Sequence, residues 1–219
     1  MEPSPQAQAD LIRAAVDEGA DWIILQPPLG PAITPTNWLN MLPPLIENAG
    51  VPVAIQNADM ANVQLHNDDL VALQRGCPAL IGVKAETDSA SVAAFATNHG
   101  KAFRVIIGNW GVEYPFFRSH GAHALIPAPN FVAEQVAQDE AATRGDWDQM
   151  DDIQQRILPL MQFIRERSAP EGQVQLGKAA YGWRTGYDTG HNRAPGPATI
   201  DTSVLAHARG LWDRLATRP

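Results

Sequence analysis

The sequence predicts an α/β fold: about five parallel strands alternating with helices, followed by a helical extension. Three observations predict it. Short apolar runs rich in Val, Ile and Leu recur at 22–26, 51–57, 79–84, 103–108 and 122–128, the pattern of parallel strands covered on both faces. Segments of helical periodicity separate them, as right-handed crossovers between parallel strands require. Beyond Val132 the strand-like runs stop and only helical periodicity continues.

Each element follows from its residues. Leu11, Ile12, Ala15 and Val16 share one face of a helix over 8–18, which Gly19 ends. The strand at 22–26 is stopped by Pro27-Pro28, and a proline-rich loop runs over 29–35. Thr36 is the expected cap of a helix through Trp38, Leu42, Leu45 and Ile46, which Pro43-Pro44 should kink or divide. Asn67-Asp68-Asp69 caps a helix containing Leu70, Val71 and Leu73. A helix is expected at 89–99, closed by Gly100, and a short one at 114–119, closed by Gly121. Residues 130–166 read as two long helices meeting near Arg144-Gly145-Asp146, with Leu158, Leu160, Met161, Phe163 and Ile164 as apolar anchors. After a linker at 169–172 come a helix at 174–183, a glycine- and proline-rich loop at 186–199 and a last helix at 203–216. Trp38, Trp147, Trp183 and Trp212 are expected to pack in cores or between helices. The division is residues 1–131 for the strand-helix part and 132–219 for the extension packed on it, one domain overall.

Composition excludes several functions. The 219 residues carry a formal net charge of −8, which disfavours nucleic acid and anionic membrane surfaces. No apolar run is long enough to span a bilayer, and the first residues lack a signal-peptide pattern. The single cysteine, Cys77, permits no intrachain disulfide and fits a reducing cytoplasm. No thiolate metal site can form, and of six histidines only His120 and His123 lie close together, reading as exposed or structural groups beside a turn. No metal and no organic cofactor are expected.

Lys84, near the end of the 79–84 run, is the residue on which function turns. Desolvating an amine lowers its pKa, and a neutral amine attacks carbonyls. The alternative is a strand-end lysine that reaches solvent or pairs with Glu86. Glu86 shares a strand face with Lys84 if the strand continues, and could hold the amine's charge or shuttle a proton; otherwise it is an exposed loop carboxylate. Gln56 and Asn57 end the neighbouring strand, where they either orient a substrate or satisfy loop backbone groups. Gly108-Asn109-Trp110-Gly111 follows the fourth strand, its glycines permitting close approach to a small ligand or simply making a turn.

Several stretches, in order, resemble the dihydrodipicolinate synthase and N-acetylneuraminate lyase family. Gly19-Ala20-Asp21 with 23–28 is similar to its fourth barrel strand, 51–57 to the fifth, and Ile81-Gly82-Val83-Lys84 to the sixth, which carries a Schiff-base lysine. Ile106-Ile107-Gly108-Asn109 resembles the seventh, Gly121-Ala122 with 125–128 the eighth, and 177–195 the final helices. The resemblance implies an incomplete (β/α)8 TIM barrel holding strands four to eight. It implies class I aldol chemistry at Lys84 on pyruvate or another small 2-keto acid; Gln56 and Glu86, by their strand positions, are the expected catalytic partners. It places Gly108 and Ile126 near the keto-acid carboxylate and implies a homo-oligomer, dimer or tetramer; Asn57 and Asn109, by position, are further candidate substrate contacts.

Departures accompany the likeness. Gln56 stands where the family usually has a tyrosine, and a hydrogen-bonding amide cannot relay a proton as a phenol can. Asp59-Met60-Ala61-Asn62 stands where an arginine is expected, and the family's first three strands have no counterpart. Dehydration of a keto-deoxy sugar acid by the same lysine is a second expectation. A noncatalytic binding or assembly module, or an inactive fragment, is a third.

Overall fold

The structure, a computed structural model, describes residues 4–28, 33–59, 63–166, 170–193 and 200–216. The expected loop residues 29–32 and 194–199, Met60-Ala61-Asn62 and linker residue Ala169 lie outside these. Among the described residues the chain forms two compact units, one from Met1–Asn109 and Phe116–Leu125, the other from Trp110–Pro115 and Ile126–Pro219.

The first unit is a parallel sheet with its crossover helices. In chain order come α1 (Pro5–Asp17), β1 (Ile23–Leu25), α2 (Pro35–Glu47), β2 (Val53–Ala58), α3 (Asn67–Gly76), β3 (Leu80–Glu86), α4 (Ser89–His99), β4 (Arg104–Ile107), α5 (Tyr114–Ser119, of which Phe116 onward belongs to this unit) and β5 (Ala124–Leu125). All neighbours pair in parallel in the order β1-β2-β3-β4-β5. This is the expected α/β pattern, part of a (β/α) barrel.

Local chemistry sets the helix starts. Ser4 caps α1, its hydroxyl accepting from the Ala7 N–H at 3.2 Å. Thr34, not Thr36, caps α2. Its hydroxyl accepts from the Asn37 N–H at 3.1 Å, and Pro35 takes the first helical position, where its missing N–H costs nothing. α2 then runs undivided through Pro43 and Pro44, its packing outweighing the local penalty. It buries Trp38, Leu42, Leu45 and Ile46, beside the fully buried Ile55, Leu70, Leu80 and Ile107 of the same unit. Burying side chains of this size contributes about 1.5–3 kcal/mol each.

The second unit is helical: α6 (Val132–Arg144), α7 (Trp147–Glu166), α8 (Pro170–Thr185) and α9 (Thr202–Ala216). α6 and α7 meet where expected, at Gly145, which ends α6 at φ 76°. Only glycine adopts that backbone readily. The core joins Phe131 to Ile157, Leu160, Met161 and Ile164 of α7 and to residues of α8 and α9, including Trp212. Trp183 packs against it, whereas Trp147 is 43% exposed. Trp147 therefore departs from its expected core role; it starts α7, before the buried stripe that begins at Met150. The linker expected at 169–172 is helical from Pro170 onward, because proline is well tolerated in a first turn. Arg184 Nη2 donates to both carboxylate oxygens of Glu134, at 2.6 and 2.8 Å. No described helix is long and apolar enough to cross a membrane.

Candidate active site

β3 runs to Glu86, two residues beyond its expected end, so Lys84 and Glu86 share a face. Gln56 lies directly opposite Lys84 on β2, and Ile106 opposite it on β4. The carboxyl ends of adjacent strands thus bring Gln56, Lys84 and Glu86 together.

The Lys84 Nζ lies 3.0 Å from Glu86 Oε1, with the two side chains only 16% and 14% exposed. Gln56 Nε2 donates to Glu86 Oε2 at 2.5 Å, and Gln56 Oε1 accepts from Gln26 Nε2 at 2.5 Å. The backbone N–H of Asn109 donates to Glu86 Oε1 at 2.9 Å. A largely buried carboxylate needs such partners, and Glu86 has three. Gln56 uses both ends of its amide, so its orientation is fixed from each side. Gln26 is anchored in turn, its main-chain oxygen accepting from Gln8 Nε2 at 3.1 Å.

Gln26 is the participant that sequence reasoning missed. Its signal was positional: it follows the last residue of β1, as Gln56 sits near the end of β2, and parallel register makes them neighbours.

Gly108 has a role more specific than expected. A Cβ built there would stand 1.9 Å from Glu86 Oε1. The space a side chain would fill holds the Glu86 carboxylate, so glycine is required for the carboxylate to fold back over β3. After Gly108 the chain turns sharply, with Asn109 at φ 50°, Trp110 at φ 63° and Gly111 at φ 72°. A tryptophan in the left-handed region costs about 1–3 kcal/mol. The same turn aims the Asn109 N–H at Glu86.

Two candidate substrate contacts sit elsewhere. Asn57 faces the opposite side of β2, 5% exposed. Its Nδ2 donates to the Leu65 carbonyl at 2.9 Å and its Oδ1 accepts from the Leu65 N–H at 2.8 Å. The side chain therefore pins the segment leading to α3, the alternative role weighed for it. Ile126 follows β5 as part of the second unit and is 36% exposed. The network from Gln26 to Asn109 lies wholly within the first unit.

An amine, a carboxylate and two amides thus share one face of the parallel sheet at its strand ends, the end at which barrel-type α/β proteins carry their reactive groups. No protein-family model and no curated protein matches the chain. Solved structures share its fold. Dihydrodipicolinate synthase from Oceanobacillus iheyensis is similar at TM-score 0.83 and 23% identity, over 98% of this chain and 71% of that one. The sialic acid aldolase of Ruminococcus gnavus is similar at TM-score 0.81 and 21% identity, over 98% and 72%. A prophage protein of the dihydrodipicolinic acid synthase family from E. coli K12, in complex with pyruvate, is similar at TM-score 0.85 and 18% identity, over 99% and 74%. The chain thus shares the fold of these structures and spans about three quarters of their length.

Proposed function

We propose that the chain is a Schiff-base-forming lyase acting on pyruvate or another small 2-keto acid through Lys84. The observation that carries this reading is the largely buried Lys84 amine, 3.0 Å from Glu86 on the carboxyl end of a parallel strand. Attack requires the amine's lone pair. Glu86 stands within reach to take the ammonium proton, and Lys84 then bonds to the substrate's C2. The resulting carbinolamine loses its hydroxyl as water, with a proton from Glu86, and leaves a protonated imine. With a 4-hydroxy-2-keto acid as substrate, Glu86, a carboxylate again, takes the C4 hydroxyl proton. The C3–C4 bond breaks to release an aldehyde, and its electron pair passes to the imine cation. Reprotonation at C3 and hydrolysis then free pyruvate, and condensation of pyruvate with an aldehyde is the reverse. Gln56, held by Gln26, fixes the carboxylate's second oxygen, and the Asn109 N–H fixes its first.

The position of Glu86 also favours a second reading, dehydration of a keto-deoxy sugar acid. There the imine acidifies C3, Glu86 takes its proton, and the C4 hydroxyl leaves as water with that proton. The pyruvate-bound structure of similar fold supports a keto-acid ligand for this chain too.

Borohydride trapping tests both. Incubation with pyruvate and reductant should give a reduced adduct mapped by mass spectrometry to Lys84, and Lys84→Ala should give none. An unmodified lysine across a panel of keto acids overturns the reading. Product analysis separates the two chemistries: aldehyde release marks carbon–carbon cleavage, and a product lighter by one water marks dehydration.

A further inference from the structure

The opposite end of the sheet holds a second cluster of polar side chains, which the proposed lyase chemistry does not use. A cavity of about 640 Å³ opens at the amino ends of β3, β4 and β5, lined in part by Lys101, Phe103, Arg104 and His123. All belong to the first unit. We propose that this cavity is a binding site for a small phosphate-type oxyanion, held by the Lys101 ammonium, the Arg104 guanidinium and the Nε2–H of His123.

The donors are available. Lys101 and Arg104 are exposed, and neither forms an ion pair or side-chain hydrogen bond among the described residues. His123 is oriented by the sheet. Its main-chain N–H donates to the Val105 carbonyl at 2.8 Å, and its Nδ1 accepts from the Val105 N–H at 3.2 Å. With Nδ1 an acceptor, the neutral ring carries its proton on Nε2 and offers it as a donor. Arg118 adds positive charge nearby while donating to the Ala122 carbonyl at 2.9 Å.

The electrostatics agree. Burial, then Arg104 and Arg118, hold the His123 pKa below its ordinary value. Both arginines are thus close enough for their charge to disfavour the imidazolium. This is a local island of positive charge on a chain with formal net charge −8. The surrounding negative charge repels polyanions such as nucleic acid and favours a small anion. Arginine's planar fork and a nearby ammonium match phosphate oxygens.

The proposal stands apart from the reading of Lys84, and His123 is its reporter. A bound phosphate stabilises the imidazolium, so the His123 pKa followed by NMR should rise when inorganic phosphate replaces chloride at constant ionic strength. Arg104→Gln raises the starting pKa by itself, so the readout is the further increment caused by phosphate. That increment should require at least about tenfold more phosphate in Arg104→Gln and in Lys101→Gln, and should survive in Lys84→Ala. Both substituted positions are exposed, so folding is preserved. A sugar monophosphate binding more tightly than inorganic phosphate identifies the phosphate group of a larger metabolite as ligand; equal binding identifies phosphate itself. The proposal is overturned if phosphate leaves the titration unchanged, if the Arg104→Gln and Lys101→Gln variants respond as the parent does, or if Lys84→Ala abolishes the response.

Discussion

The two faces of β3 solve the problem of burial in different ways. Val83 and Ala85, 1% and 7% exposed, face the side covered by helices, beside Ile55 and Asn57 of β2 in register. Lys84 and Glu86 alternate with them and face the other side, beside Gln56 and Ala58. The first face gains its stability from apolar area and tolerates a polar group only where its partners are complete, as for Asn57. The second is held by hydrogen bonds and charge. Its geometry depends on a few groups, each of which fixes another. Substitutions on the first face should change stability, and on the second reactivity.

The largest expected effect is on the polar face. Glu86→Gln should slow trapping of pyruvate at Lys84 by about 10²–10⁴-fold, measured as the rate of adduct formation with borohydride in excess. Trapping at the parent rate would make the carboxylate a structural group and break the contrast. Next comes Ile55→Ala on the apolar face. It should lower unfolding free energy by about 2–5 kcal/mol by urea titration, while the adduct at Lys84 still forms. Asn57→Ala leaves the buried N–H and carbonyl of Leu65 without their amide partner and should cost about 1–3 kcal/mol. An effect on substrate affinity rather than on stability would return Asn57 to the site.

The smallest effect is a pH dependence at the far end of the sheet. His123 is held below its ordinary pKa of 6.5, first by burial and then by Arg104 and Arg118. As pH falls through about 6.5, the unfolded chain takes up the proton before the folded one does. The stability this histidine contributes is therefore complete above that pH and is lost as pH falls toward the lower folded value. Urea midpoints measured between these limits should decline with acidification, and His123→Leu should flatten the decline. An equal slope in that variant would place the pH dependence elsewhere.

Much of the fold was legible because its signals are local. The helices at 89–99 and 114–119 match their expected limits. The junction at Gly145 was readable from a glycine after a periodic run. The start of α2 was misplaced because two threonines, Thr34 and Thr36, compete as caps, and only a proline at the first helical position separates them. The candidate site was legible in part. Lys84, Gln56 and Glu86 were picked out by strand position, and register brings them together. Gln26 and the role of Gly108 were not visible. Gln26 is 30 residues from the amide it holds, and Gly108 is shaped by a carboxylate on another strand.

The sequence by itself determined the alternation of strands and helices and the face that carries Lys84, because both follow from the spacing of apolar residues along one chain. Tertiary structure decided which strand ends lie side by side, how Glu86 is held from three directions, and that Asn57 turns away from the amine. Those outcomes depend on contacts between residues far apart in sequence, and hydrogen bonds need their partners within a few tenths of an ångström, which no pattern along the chain specifies.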